Sequence, residues 1–436
     1  MFNYWFKRWN FGYKLAYGWV RLTMRFFYKK YDIVGLDNIP KDGGVIFAVN
    51  HQNAFMDPIV VATQLEQNTY GLTRSDVFKN RYISKILRSF YMIPVFRQRD
   101  GVNTIKANEN TFNECYDLLN NNAYVIIFPE GDQSNKKTLR SLKKGIARIG
   151  MGAAKKINYT KPIYIVPIGL NYSNYTNMRA TLLINIGEAI SLEDYYKNHQ
   201  NDVAHTINNI TSKVRSEMSK LMINIESDKY DQVNSLLKVH DNVNESYQSL
   251  HNELISHQEL INKLKKNEIE EPNDFQYLCA NINNLNEFVE NNKLHYKSLK
   301  NKETRFKVLP RISLLIFLSP IHLLSLISNY LPYKIPVWFV NNKVKDIHFH
   351  SSVKMMMGSL LFIIFWTVQT IIISLCFDSY IWLYYLLSLP ISALFSYKYW
   401  IFLLKTRGYI RYNRLIKNGK IQLGLVYYNS IISQLN

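Results

Sequence analysis

Two apolar runs near the C-terminus constrain this chain most. No charged residue occurs from Met355 to Phe377 or from Ser379 to Tyr397, and only Asp378 separates the two. A hydrocarbon core is about 30 Å thick and a helix rises about 1.5 Å per residue, so each run is long enough to cross one. A backbone in lipid must satisfy its own hydrogen bonds, which two helices joined by a tight turn achieve. Lys354 precedes the pair and Lys398, Lys405, Arg407, Arg411 and Arg414 follow it. Cations at both ends predict transmembrane helices over 355–377 and 379–397, forming a hairpin with both ends on the cytoplasmic side. The alternative, a pair of buried core helices, is disfavoured by two adjacent uncharged runs of this length.

A third run, Ile312–Leu331, holds Pro320 in its middle and is diluted by His322, Asn329 and several serines. Arg311 stands before it and Lys334, Lys343, Lys345 and Lys354 follow. Basic flanks on both sides predict a re-entrant or interfacial segment over 312–331, broken at Pro320. Residues 1–30 interleave aromatic side chains (Trp5, Trp9, Tyr13, Tyr17, Trp19, Phe26) with Lys7, Arg8, Lys14, Arg21 and Arg25. This is the composition of an interfacial membrane anchor, the other reading being a helix packed on the catalytic domain. No apolar signal-peptide core precedes a small-residue cleavage site.

Charge supports a lipid partner. Lys+Arg outnumber Asp+Glu by 53 to 33, a formal charge of +20, and 14% of residues are aromatic. A polyanion is implied; of the two obvious ones, membrane phospholipid fits the apolar runs and nucleic acid does not need them. Cys115, Cys279 and Cys376 form no CxxC pair, so neither a disulfide framework nor a metal site is expected, and the catalytic part belongs in a reducing compartment.

Between these features lies an α/β pattern. Gly44–Val49, Tyr70–Leu72, Met92–Val95, Tyr124–Phe128, Tyr164–Leu170 and Leu182–Ile186 read as short strands alternating with helices, defining an α/β domain over 31–191. Residues 192–307, rich in Asn, Lys, Glu and Leu, read as a helical region without a regular heptad, followed by a C-terminal membrane region over 308–436.

The chemistry is carried at strand ends. Asn50-His51-Gln52-Asn53-Ala54-Phe55-Met56-Asp57 follows Gly44–Val49. An alcohol attacks a carbonyl well only if its proton leaves as the bond forms, and a neutral imidazole takes it best when a carboxylate holds its other nitrogen. His51 and Asp57 are the candidates; no Ser or Cys nucleophile is signalled nearby, so direct transfer is expected. Phe128-Pro129-Glu130-Gly131 closes another strand and leads into Lys136, Lys137, Arg140, Lys143 and Lys144. A strand-end carboxylate beside a cationic loop suits a polyol phosphate, although a solvated charged turn reads the same way.

Together these segments resemble the glycerophospholipid acyltransferase family, whose members include glycerol-3-phosphate, dihydroxyacetone-phosphate and lysophosphatidate acyltransferases. The resemblance spans about Ile33 to Glu188, through Asn50-His51 with Asp57, Ile93-Pro94-Val95-Phe96-Arg97, Phe128-Pro129-Glu130-Gly131 and Val166-Pro167-Ile168-Gly169. It implies an α/β acyltransferase fold in which His51 is the base and Asp57 orients it. Arg97 would bind the acceptor phosphate, Glu130, Gly131, Ser134 and Lys143 the glycerol-phosphate, and Pro167 would shape the acyl-donor pocket. No cofactor is implied beyond the co-substrate, an acyl-CoA, acyl phosphate or acyl carrier protein, the last also a protein partner.

Two departures bear on the acceptor. Five residues separate His51 from Asp57 where many members have four, which resembles the glycerol-3-phosphate and dihydroxyacetone-phosphate subgroup. Gln133 stands where many members have Arg. The reading is therefore a membrane-bound glycerol-3-phosphate acyltransferase, with lysophosphatidate acylation as the enzymatic alternative. A non-catalytic lipid-binding tether is the rival from another class; intact His51, Asp57, Glu130 and Arg97 argue against it.

Overall fold

The structure, a computed structural model, describes residues 11–65, 69–96, 104–243, 247–300, 305–377 and 380–435. Arg97, Asp378 and the first ten residues of the expected anchor lie outside the described residues. Two compact units account for the chain: residues 1–224 with 249–254 and 346–355, and residues 225–248 with 255–345 and 356–436.

The first unit is built on an eight-stranded sheet in the order β1 (Lys30–Val34), β7 (Thr181–Ile186), β6 (Ile163–Tyr172), β2 (Gly44–Val49), β5 (Tyr124–Ile127), β3 (Thr69–Arg74), β4 (Met92–Val95), with β8 (Ile190–Ser191) paired to β6. The strands from β6 to β4 run parallel; β6 meets β7 antiparallel. Every residue of β2 and β5 is buried, as continuous Val/Ile runs covered by helices on both faces require. Parallel pairing brings the C-terminal ends of β2, β5 and β6 to one edge, where the loops after them carry the candidate chemistry.

Helices α1 (Phe11–Phe27), α2 (Met56–Ala62), α3 (Arg81–Ser89), α4 (Thr104–Asn120), α5 (Gly145–Lys156), α6 (Glu193–Asn201) and α7 (Val203–Lys220) complete this unit. The core joins Ile46, Val125 and Ile165 of the sheet to Ile149 and Ala153 of α5 and to Ile207, Ile210, Val214 and Met218 of α7. The catalytic unit therefore extends past residue 191 to include α6 and α7. Helix α1 packs one face on this unit and leaves another exposed. Tyr13, Met24 and Phe27 are buried and the Tyr17 hydroxyl donates to Thr63 O at 2.9 Å, while Leu15, Leu22 and Phe26 face outward beside exposed Arg21 and Arg25.

The second unit is helical: α8 (Tyr230–Val243), most of α9 (Leu250–Glu270), α10 (Pro272–Asn291), α11 (Tyr296–Lys300), α12 (Arg305–Lys343), most of α13 (His350–Cys376), α14 (Ile381–Lys417) and α15 (Ile421–Leu435). Three of these, α12, α13 and α14, are long and apolar enough to cross a membrane. The expected break at Pro320 is absent: α12 is one helix that takes in Pro310, Pro320, Pro332 and Pro336. Each proline removes one backbone donor, a loss an apolar setting tolerates when neighbouring helices pack against the site.

Those neighbours are polar at selected points. Trp366 Nε1 of α13 donates to Asn329 Oδ1 at 3.0 Å and Gln369 Nε2 to Ser328 O at 3.2 Å. From α14, Tyr385 and Ser328 share a hydrogen bond of 2.9 Å, Ser325 Oγ donates to Ser392 O at 2.7 Å, and Ser396 pairs with His322 at 2.8 Å. Hydrogen bonds with α14 thus run from Leu315 to Asn329 of α12, and those with α13 share Ser328 and Asn329 with them.

Candidate active site

The turn after β2 is folded around one carboxylate. Asp57 is fully buried in the first turn of α2, and its Oδ2 accepts from the Gln52 and Asn53 backbone N–H groups at 2.9 and 2.7 Å and pairs with His51 Nδ1 at 2.9 Å. The other oxygen, Oδ1, accepts from the Tyr172 hydroxyl at 2.7 Å. A carboxylate with this many donors is fixed in orientation, and it selects the tautomer with the proton on Nδ1. Nε2 is then the basic nitrogen, and no described contact engages it.

His51 is held on two further sides. Its ring stacks on Phe128 with centroids 4.2 Å apart and planes 23° apart. Its backbone N–H donates to Glu130 Oε1 at 2.9 Å, and its carbonyl accepts from Ser134 N at 3.0 Å. Adjacent parallel strands β2 and β5 thus bring His51, Glu130 and Ser134 together. Asn50, fully buried, locks β2 to β6: its side chain donates to Leu170 O at 3.1 Å and accepts from Leu170 N at 2.7 Å.

Glu130 is nearly buried, and both its oxygens accept backbone N–H groups, the second from Arg140 at 3.1 Å. Burial raises its pKa above the ordinary carboxylate value, against the pull of those two hydrogen bonds and the nearby charges. The carboxylate that sequence assigned to acceptor binding is therefore also the clamp between the His51 turn and the cationic loop. Gly131 beside it has φ +74°, a conformation L side chains rarely adopt, and a Cβ there would lie 3.3 Å from Lys143 Cγ. Lys143 N in turn donates to Pro129 O at 2.7 Å, folding the cationic loop back on Phe128-Pro129-Glu130-Gly131.

Of the eight candidate residues, the structure gathers His51, Asp57, Glu130, Gly131, Ser134 and Lys143. Pro167 sits within buried β6 opposite Ala48, with its ring towards Gly187. Arg97 lies outside the described residues, one position beyond Phe96, whose N–H and carbonyl are both held by the Asn108 side chain at 2.9 and 2.8 Å. Tyr172 went unread because nothing local marks it: only the pairing of β6 beside β2 brings it to Asp57.

This geometry coincides with a family model. Residues 30–171 match the family model described as Acyltransferase, and the curated relatives that the chain resembles are named as acyltransferases. Among relatives, the Saccharomyces cerevisiae glycerol-3-phosphate O-acyltransferase 2 is 27% identical over 112 residues, 26% of this chain and 15% of that protein. The Bacillus subtilis 1-acyl-sn-glycerol-3-phosphate acyltransferase is 28% identical over 120 residues, 27% of this chain and 55% of that one. The crystal structure of the Thermotoga maritima 1-acyl-sn-glycerophosphate acyltransferase PlsC aligns with a TM-score of 0.33 and 19% identity, covering 47% of this chain and 79% of that one.

Proposed function

We propose that this chain is a membrane-bound O-acyltransferase that transfers an acyl group from an activated donor to glycerol-3-phosphate, at the first position, with dihydroxyacetone phosphate as the alternative small acceptor. The observation that carries this reading is the His51–Asp57 pair, with Nδ1 on the carboxylate at 2.9 Å and Nε2 left as acceptor. The acceptor hydroxyl gives its proton to Nε2 as its oxygen bonds to the donor's carbonyl carbon; the bond to the thiolate or phosphate leaving group then breaks, and His51 returns the proton. Arg97 pairs with the acceptor phosphate, Ser134 and Lys143 line the same loop, Glu130 and Gly131 frame it, and Pro167 borders the acyl chain.

The preference for a small soluble acceptor rests on the five-residue gap before Asp57 and on the cations Lys136, Lys137, Arg140, Lys143 and Lys144, which would steer a dianion to the site. The similarity to a 1-acyl-sn-glycerol-3-phosphate acyltransferase favours a second reading, acylation of lysophosphatidate. The catalytic domain faces the cytoplasm, where activated acyl donors are made, and the donor is an acyl-CoA, an acyl phosphate or acyl carrier protein.

A single labelled donor offered with glycerol-3-phosphate, dihydroxyacetone phosphate or lysophosphatidate tests the acceptor, with His51→Ala as control. The highest kcat/KM is expected for glycerol-3-phosphate, and a loss of about 10²–10⁴-fold for the variant. A much higher kcat/KM for lysophosphatidate moves the reaction to the second acylation; near-normal turnover by the variant removes His51 as base.

A further inference from the structure

The turn between His51 and Asp57 is not held by its own residues alone. Ala54 lies at φ 25°, in the region an alanine rarely enters, so this turn keeps its shape only because its surroundings impose it. Asn53 is where they do so. Its N–H donates to Asp57 Oδ2 at 2.7 Å, its carbonyl accepts from Met56 N at 2.7 Å, and its side-chain amide donates to Tyr175 O at 2.8 Å. The remaining group, Oδ1, accepts from the Ser351 hydroxyl at 2.6 Å, with both residues only 1% exposed.

Ser351 belongs to a segment, Asp346–Met355, that folds as part of the catalytic unit although it stands far from the acyltransferase domain in sequence. The segment touches all three loops at the active edge of the sheet. Phe349 lies against Phe55 in the His51 turn, with centroids 6.4 Å apart. Asp346 Oδ2 accepts from Gln133 Nε2, in the loop after β5, at 3.1 Å. In the loop after β6, Tyr175 stacks on His348 at 6.5 Å and Thr176 O accepts from Lys354 Nζ at 3.2 Å.

We propose that Asp346–Met355 is a positioning strap for the catalytic pair, with Ser351 acting through Asn53 on Asp57. This rests on the assignment of His51 and Asp57 as base and orienting carboxylate. Ser351 touches no reacting atom. It fixes the side chain of the residue whose N–H is one of the donors on Oδ2, and so sets how firmly that oxygen meets His51 Nδ1. Without the hydroxyl, Asn53 Oδ1 is a buried acceptor with no donor; it relaxes by rotating the turn, and the carboxylate follows. A looser pair stabilises the imidazolium less, so proton transfer to Nε2 weakens, while the loops that hold the acceptor keep their own contacts.

The test uses the full chain in lipid nanodiscs. Ser351→Ala removes the donor, Ser351→Cys replaces it with a weak one of similar size, and Ser351→Thr keeps the hydroxyl. Ser352→Ala is the control, because Ser352 is also buried but its hydroxyl donates within the strap, to Phe349 O at 3.1 Å. Two readouts are taken: kcat and KM for the acceptor, and the pH dependence of His51 carbethoxylation by diethyl pyrocarbonate, followed by peptide mass spectrometry. The second needs no substrate, so it stands even where none of the offered acceptors is acylated.

Ser351→Ala is expected to lower kcat about tenfold with the KM of the acceptor within about twofold, and to move the His51 profile to lower pH by about half a unit. Ser351→Cys falls between, while Ser351→Thr and Ser352→Ala match the parent. If every folded Ser351 variant titrates His51 as Ser352→Ala does, the strap is structural only and the proposal fails. A fall in kcat matched by an equal rise in KM, with an unmoved His51 profile, overturns it equally.

Discussion

Asp57 gains nothing from solvent, so each of its donors counts. Tyr172 supplies the only described partner of Oδ1, and its own hydroxyl is held protonated by burial and by the negative Asp57 beside it, which push its pKa well up. Tyr172→Phe strands one buried carboxylate oxygen. It should cost about 1–3 kcal/mol of stability and about tenfold in kcat, with little change in KM, as thermal melts and steady-state kinetics will record. Glu130 makes the opposite prediction for pH. Its folded pKa is raised, so the native state holds that proton more tightly than the unfolded chain, and its contribution to stability declines as pH rises through the folded pKa. Glu130→Gln, neutral throughout, should therefore compare better with the parent in Tm at pH 8 than at pH 5, while losing activity at both because a Gln amide cannot accept from both N–H groups. A Tm difference independent of pH would refute the linkage. His51 and Asp57 were legible in sequence because chemistry and spacing sit within one turn. Tyr172 and Ser351 were not, since their roles exist only after strand pairing and the return of a distant segment.

At the scale of elements, the strands were legible to within one or two residues wherever both faces are buried, as at Gly44–Val49 and Tyr124–Ile127. The edge strand Lys30–Val34 was missed because it is only partly buried and carries Lys30 and Asp32, so its apolar signal is short. Pro320 misled for a related reason. In water a mid-helix proline ends the element, but in α12 the Gln369 amide of α13 bonds Ser328 O, the carbonyl that Pro332 leaves without its helical donor. Residues 1–30 were legible as an aromatic and basic segment, but not which face of α1 the protein would take. Its outward Leu15, Leu22 and Phe26 suit the headgroup boundary of a bilayer. A bimane on Leu22→Cys should be quenched by a lipid-borne quencher and spared by aqueous iodide, and the reverse pattern would leave α1 as a packing helix alone.

For the whole molecule, the arrangement of α12 suggests a topology that can be measured. Because α12 is one unbroken helix and is followed by Asp346–Met355, which folds with the first unit, both its ends are expected on one face, with α12 lying along the membrane rather than entering it and returning. Single cysteines at Asp42, Asn291, Asn341 and Asn418, in a chain whose one exposed native thiol, Cys376, is replaced by serine, should react with an impermeant maleimide from the same side. Opposite accessibility of Asn291 and Asn341 would establish a full crossing by α12. The hydrogen bond between Ser351 and Asn53 has a consequence in time as well as space, because it joins residues 298 positions apart. At a synthesis rate of about 5–20 residues per second, the turn bearing His51 leaves the ribosome roughly 15–60 s before the serine that completes it. If Asp346–Met355 is the strap proposed above, the nascent sheet spends that interval without it, and the turn bearing His51 is completed only after α12, the first helix of membrane-spanning length, has been made.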